Sequence, residues 1–328
     1  MGSRILLIHT GGTLGMAPSG MPSSLAPGPS LEAILGQVPE LSRLADLHLE
    51  VPFNLDSASL EPAHILALVD LIRQRATHCD GVVLIHGTDT MAFTASILGY
   101  LLSDLGKPVI LTGAQRPLAY IRSDARANLV DAIELAKSGV PEVGICFGEH
   151  WLRGVGAEKA SVHRFEAFVS PNLPPLADLG LAVRIHPHAG NFERRLPENL
   201  GGAFETRLVI HTPFPGMAWP LPPEGTRAVL IQAYGAGNLP VERPDLRALL
   251  GHCREGHLPV VFTSQCLSGG VDLGAYELGQ AALAQGVISG GLHTRWAALA
   301  KLGLALGAGW DVEAIRGAFR TSWAGEPI

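Results

Sequence analysis

Six short apolar runs recur along the chain: "ILLI" (5 to 8), "VVLI" (82 to 85), "VILT" (109 to 112), "VGICF" (143 to 147), "AVLI" (228 to 231) and "VVFT" (260 to 263). Continuous apolar runs of this length suit strands buried on both faces, the situation of a parallel sheet. Helical periodicity lies between them. Over residues 62 to 76, Ile65, Leu68, Val69, Ile72 and Ala76 keep one-face spacing, with Ser59 available as N-cap and Pro62 in the first turn. Residues 311 to 319, "DVEAIRGAF", carry a further helix. Strands alternating with helices give an α/β fold. The expected architecture is a larger N-terminal domain with a mostly parallel, flavodoxin-like sheet flanked by helices, and a smaller C-terminal α/β domain.

A chain of 328 residues fits about two domains. The stretch "PHAGNFERRLPENLGG" has little periodicity and many turn formers. It places an N-terminal catalytic domain at 1–186, a linker at 187–203 and a C-terminal domain at 204–328. Hydrophobic residues make up 47% of the chain and charged residues 16%, enough apolar material for large cores. The formal charge is -6, without a basic stripe, which argues against nucleic acid or an anionic membrane as partner and for a small-molecule substrate. Cys79, Cys146, Cys253 and Cys266 lie far apart with no CxxC pair, so reduced thiols are expected. The apolar stretch near the start is shorter than a secretion signal's, and a cytoplasmic location is expected.

Ligands bind beyond the carboxyl ends of strands in open parallel sheets. Three loops there combine glycine with small hydroxyl or acidic side chains: "HTGGT" (9 to 13), "HGTDTM" (86 to 91) and "TGAQRP" (112 to 117). Gly11, Gly12 and Gly15 do not keep GxGxxG spacing, and Lys107 precedes a proline and a strand rather than a helix. Dinucleotide and P-loop readings therefore fail. Thr88 and Asp89 fall where a buried strand ends and a helix begins, where N–H groups and the helix dipole stabilise negative charge. Helix capping by Asp89 or Thr90 is the simpler alternative. "GHCREGH" (251 to 257) imitates metal-ligand spacing through His252, Cys253 and His257 but offers no further ligand pair. "HPH" (186 to 188) is expected to be solvated, and neither metal nor organic cofactor is expected.

The ordered segments "TGGTLGM" (10 to 16), "HGTDTMAFTAS" (86 to 96), "GKPVILTGAQRPL" (106 to 118), "RSDARANLVDA" (122 to 132), "FEAFVSPNLPPL" (165 to 176), "YGAGNLP" (234 to 240) and "QCLSGGVDLGAY" (265 to 276) resemble the bacterial-type L-asparaginases, above all their cytoplasmic type I branch. That resemblance implies hydrolysis of the asparagine side-chain amide, in some members also of glutamine, through a threonine nucleophile and an acyl-enzyme. It implies Thr13 as nucleophile and Thr88, Asp89 and Lys159 as the second catalytic group. Asp89 could orient Lys159 and also bind the substrate ammonium. Ser57 matches the serine that holds the α-carboxylate, Ala58 follows it in the substrate loop, and Ala114 is expected to contact the amide through its main chain. Asn238 is expected to reach a neighbouring subunit's site, because family members assemble as intimate dimers, some as tetramers.

Three departures from the family pattern stand out. Met21 falls where the family carries a lid tyrosine near the nucleophile, leaving Ser19, Ser23, Ser24 or Tyr120 to substitute. The segment from 17 to 30, rich in proline, serine and glycine, still suits a mobile lid. Ala58 and Ser59 stand where secreted members have Gln and Asp, which keeps a glutaminase or another small-amide hydrolase open. A catalytically weakened amino-acid binder is also open, although four retained catalytic positions count against it. Gln232 and Glu158 replace the arginine and threonine of the type I regulatory site. Initial rates are therefore expected to follow a hyperbola in asparagine; a sigmoidal curve contradicts this assignment.

Overall fold

Each of the six apolar runs forms the body of a strand, and the strands build two parallel sheets. The computed structural model describes residues 2–18, 25–27 and 35–328. These form two units, Met1–Ser170 with Pro174–Phe192, and Pro171–Leu173 with Glu193–Ile328. Met21, Ser19, Ser23 and Ser24 lie outside the described residues, as does much of the expected lid.

In the first unit β1 (Arg4–His9) is followed by a small antiparallel ribbon, β2 (Met16–Pro18) with β3 (Leu25–Pro27). Then come β4 (Asp46–Glu50), α1 (Pro62–Arg75), β5 (Gly81–Ile85), α2 (Met91–Leu101), β6 (Val109–Thr112), α3 (Ala125–Ala136) and β7 (Val143–Phe147). The parallel strands lie in the order β4-β1-β5-β6-β7, the flavodoxin-like arrangement in which the first strand sits inside the second. Three antiparallel strands, β8 (His150–Arg153), then β11 (Ala177–Leu179) and β12 (Val183–Ile185), extend the β7 edge. Between β8 and β11 the chain forms a separate pair, β9 (Glu158–Lys159) and β10 (Phe168–Val169).

Period-two alternation explains the continuous apolar character of these strands. Ile5, Leu7, Val83, Ile85 and Ile110 pack with Leu129, Ala132 and Ile133 of α3. Leu6, Ile8, Val82, Leu84, Val109 and Leu111, of the other parity, are equally buried. A strand of a two-sided sheet therefore has no polar face to alternate with. Helix α1 keeps the expected apolar face, but its N-cap is Glu61 rather than Ser59. Ser59 is already the last residue of a one-turn 3-10 helix, Ser57–Ser59, capped by Asp56, whose carboxylate accepts from Ala58 N at 2.9 Å. The Glu61 N–H then donates to His64 Nδ1 at 3.1 Å.

The second unit has its own parallel sheet, β13 (Leu208–His211), β14 (Ala228–Ala233), β15 (Val260–Ser264) and β16 (Ile288–Ser289), paired in chain order. Its helices are α4 (Pro244–Glu255), α5 (Glu277–Ala284), α6 (Arg295–Gly307) and α7 (Val312–Ala318). Helix α7 starts where the sequence placed it, with the Asp311 carboxylate accepting from Ala314 N. Among the described residues no helix is long and apolar enough to cross a membrane. The four cysteines are free.

A wholly buried charge cluster closes the second unit. Lys301 Nζ donates to Glu326 Oε1 at 2.6 Å, to the Thr321 carbonyl at 2.7 Å and to His293 Nε2 at 3.2 Å, and sits 4.7 Å from the centre of the Trp323 ring. Glu326 also accepts from the N–H groups of Trp323 and Ala324. Burial, seconded by the Lys301 charge, lowers the His293 pKa to about 3, so its imidazole is neutral and Nε2 accepts a hydrogen bond from Lys301. Removing one member of such a pair leaves the other charge buried without compensation. We expect Glu326→Ala to destabilise the protein by about 3–5 kcal/mol and Lys301→Met with Glu326→Leu together by much less, read from thermal unfolding midpoints.

Candidate active site

The carboxyl edge of the first sheet is assembled by backbone contacts that no side chain larger than hydrogen permits. After β1, Gly11 and Gly12 adopt φ of 112° and 91°, in the left-handed half of conformational space. A Cβ on Gly11 would run into the Leu55 carbonyl oxygen, and one on Gly12 would lie 2.5 Å from Gly87 Cα. A Cβ on Gly87 would in turn lie 2.6 Å from Ser57 Oγ. The 10–13 loop, the 54–58 loop and the "HGTDT" loop therefore touch. Thr10 fastens the first of these: its N–H and its hydroxyl both donate to the Ile85 carbonyl, at 3.0 and 2.9 Å, and its own carbonyl accepts from Leu55 N.

Thr88 and Asp89 occupy the turn between β5 and α2. Their side chains meet Lys159, which β9 delivers from 70 residues further along the chain. Lys159 Nζ donates to Thr88 Oγ1 at 2.7 Å and to Asp89 Oδ1 at 2.6 Å. Thr88 is buried and the Lys159 side chain nearly so, whereas Asp89 is exposed. Neither Asp89 nor Thr90 spends its side chain on capping α2: Thr90 is the N-cap residue, but its hydroxyl donates to the Ser57 carbonyl at 2.9 Å, tying the 54–58 loop to the helix start. The first turn of α2 thus starts at the carboxyl end of β5, where the positive end of a helix dipole favours negative charge.

Of the expected site residues, Thr88, Asp89 and Lys159 form one hydrogen-bonded cluster. Thr13 opens a 3-10 turn one residue beyond the Gly12–Gly87 contact, half-buried. Ser57 is buried against Gly87, Ala58 is exposed, and Ala114 is buried in the loop after β6. Asn238 belongs to the second unit, in a tight turn where its N–H donates to the Tyr234 carbonyl at 2.9 Å. Tyr120 lies beneath the Arg116 guanidinium, 5.3 Å from its ring centre.

Several side chains that shape the edge escaped sequence reasoning. Asp124 and Asn128, at the start of α3, bond the main chain of the 113–116 loop, and "RSDARAN" shows them only as an i, i+4 polar pair among other polar residues. His86 is fully buried. Its Nδ1 lies 2.6 Å from the Gly87 carbonyl and its Nε2 2.9 Å from Thr94 Oγ1. A carbonyl only accepts, so Nδ1 carries the proton and Nε2 accepts from the threonine. Burial lowers the His86 pKa to about 4 against the small opposing effect of that carbonyl.

The decoys are accounted for locally. Cys253 is packed among Leu246, Leu249 and Leu250, and burial pushes its thiol up to about 11. Among the described residues no group of three or more His, Cys, Asp and Glu side chains could hold a metal. His186 and His188 are half-buried rather than simply solvated: their rings stack, His186 Nε2 lies 3.1 Å from Asp178, and His188 Nε2 bonds the Pro175 carbonyl.

Comparison with known proteins places the chain in a family. Residues 4–190 match the family described as "Asparaginase, N-terminal", and residues 221–319 match the "Glutaminase/Asparaginase C-terminal domain". L-asparaginase 1 of Escherichia coli strain K12 is 35% identical over 98% of this chain and 97% of its own. The chain belongs to the asparaginase family. As an asparaginase-family member it is an amidohydrolase with a small-molecule substrate. The crystal structure of L-asparaginase I from Vibrio cholerae superposes with a TM-score of 0.85, at 32% identity, covering 99% of both chains. The family reaches beyond free-standing asparaginases: the human 60 kDa lysophospholipase is 36% identical over 93% of this chain, which spans 58% of that longer protein.

A neutral buried His86 makes asparaginase-fold stability depend on pH with a definite sign. Its folded pKa, about 4, lies below the ordinary value of 6.5, so between these pH values the unfolded chain binds more protons. Its contribution is complete above pH 6.5 and is lost as pH falls towards 4, roughly 3 kcal/mol in all. Denaturant unfolding from pH 7 to pH 4 is expected to show this loss in the parent and to lose that part of it in His86→Asn.

Proposed function

We propose that the protein hydrolyses L-asparagine to L-aspartate and ammonia through a covalent threonine intermediate. The observation that carries this reading is the Lys159 ammonium, hydrogen-bonded to both Thr88 Oγ1 and Asp89 Oδ1 beside the loop that bears Thr13. In the proposed reaction Thr13 Oγ1 attacks the side-chain carbonyl carbon, and the carbonyl electrons move to oxygen. N–H groups of the first turn of α2 stabilise that oxyanion. Collapse breaks the C–N bond, ammonia leaves with the proton taken from Thr13, and an ester to Thr13 remains. Water attacks that ester and returns the threonine.

Thr88, Asp89 and Lys159 form the route along which the proton leaves and returns, because a hydroxyl is a weak nucleophile unless a neighbouring group manages its proton. The exposed carboxylate of Asp89 suits the substrate ammonium, and Ser57 suits the α-carboxylate. Ala58 lines the same loop, and Ala114 meets the amide through its main chain. Asn238 is assigned to the site of a neighbouring subunit in a homodimer or homotetramer, and the protein is assigned to the cytoplasm. A second substrate, glutamine or another small amide, is favoured by the short exposed side chain of Ala58, which offers the substrate loop no hydrogen bond.

Ammonia release from L-asparagine and L-glutamine tests the reading. Thr13→Ala, Thr88→Val and Lys159→Met are each expected to lower kcat by at least about 10³-fold while the proteins stay folded. Activity that survives Thr13→Ala removes the threonine mechanism. Binding of asparagine without turnover by the parent turns the protein into a binder.

A further inference from the structure

The proposed reaction asks one thing of the 113–116 loop: a main-chain group of Ala114 that meets the amide of the substrate. Nothing in the Ala114 side chain, a single methyl, sets the direction of that group. What sets it lies beneath the loop. Asp124 is buried at the junction between the loop and α3. Its carboxylate accepts the Gln115 N–H, at 2.9 Å to Oδ2 and 3.1 Å to Oδ1, and the Arg116 N–H at 3.0 Å to Oδ1. Asn128, one turn further along α3 and also buried, donates from Nδ2 to the Gly113 carbonyl at 3.0 Å and to Asp124 Oδ2 at 3.2 Å. Its Oδ1 accepts from Gly148 N at 3.2 Å, which fixes the amide's orientation and anchors it to the end of β7.

These bonds determine the two peptide planes that flank Ala114. In a trans peptide the C=O and N–H point in opposite directions, and no cis bond occurs among the described residues. The Gln115 N–H points down to Asp124, so the Ala114 carbonyl, across the same plane, points away from it. The Gly113 carbonyl points to Asn128, so the Ala114 N–H points away from Asn128. Both polar main-chain groups of Ala114 are therefore turned away from α3. The carbonyl is an acceptor suited to the NH2 of a carboxamide.

We propose that Asp124, supported by Asn128, is a positioning residue for amide hydrolysis: its carboxylate orients the Ala114–Gln115 peptide so that the Ala114 carbonyl accepts a hydrogen bond from the scissile amide nitrogen. This rests on the asparaginase reading above and adds a cause for amide recognition. Asp124 touches no substrate atom; it acts through the peptide plane. In the transition state the amide nitrogen gains electron density and a proton, its N–H groups become stronger donors, and a carbonyl fixed in advance stabilises that state more than one that must be reoriented.

A substrate without an N–H at the leaving group separates this role from a merely structural one. β-Methyl L-aspartate is an ester with the same α-groups, and its leaving oxygen has no hydrogen to donate to Ala114. Hydrolysis of L-asparagine and of this ester is measured for the parent, Asp124→Asn and Asp124→Glu, with circular dichroism and thermal midpoints to establish folding. Asparagine kcat/KM is expected to fall roughly tenfold or more in Asp124→Asn, the ester value less than about threefold, with partial recovery of the asparagine rate in Asp124→Glu. Equal losses for both substrates, or no loss for either, overturn the proposal. Should Asp124→Asn fail to fold, Asn128→Ala, which frees the Gly113 carbonyl, is read by the same amide-to-ester ratio with the same two outcomes. Failure of the asparaginase reading looks different, because the parent then hydrolyses neither substrate or Thr13→Ala retains the activity.

Discussion

The site depends on how closely main chain can approach main chain at the end of a parallel sheet. Gly12 rests on Gly87, and Gly87 rests on Ser57, at distances that leave no room for a Cβ on either glycine. Three loops from three successive stretches of the chain are thereby drawn together, with only the small Ser57 side chain between two of them. The side chains that remain, on Thr13, Ser57 and Thr88, sit one residue from these contacts or at them. Their spacing is set by backbone geometry, which is stiffer than any rotamer. A hydroxyl held this way needs little reorganisation before reaction, which is the condition for proximity to accelerate a reaction.

Around this backbone nucleus the polar groups fall into two kinds. Lys159, Thr88 and Asp89 are hydrogen-bonded to one another, and the cluster opens to solvent at Asp89. His86, Thr94, Asp124 and Asn128 are buried, and each points at a main-chain group or at another of the set. The second kind holds the loops; the proposed reaction assigns the chemistry to the first. A buried polar side chain that satisfies loop main chain fixes that loop more firmly than apolar packing does, because a lost hydrogen bond there leaves an unpaired group out of water.

Much of the scaffold was legible in the sequence because it rests on repetitive signals. The runs "ILLI", "VVLI" and "VILT" read as strands because they are short, rich in β-branched residues and alternate with longer helical patterns, and that alternation implies parallel pairing. The cap of α1 was misassigned to Ser59 because a hydroxyl near a helix start is a strong local signal, while the 3-10 turn that uses Ser59 is set by Asp56. Lys159 alone carries no signal at all. Only the family resemblance singles it out, since its partners lie 70 and 71 residues away. Asp124 and Asn128 were invisible for another reason. Their bonds go to N–H and C=O groups that every residue possesses, so no partner residue type betrays them.

The buried lysine of the second unit carries a consequence for how the chain comes into being. Lys301 cannot enter the interior as a cation until its carboxylate exists, and Glu326 follows it by 25 residues. During synthesis α6 emerges first with its ammonium still needing water, and the closing contacts form only after the strand of residues from Thr321 to Glu326 has been added. Among the described residues of the first unit the buried Glu142–Arg153 pair closes within 11 residues, and the unit is complete by Phe192. A vectorial order of folding follows, with the amino-terminal sheet consolidated while the carboxyl-terminal unit still waits for its last charge.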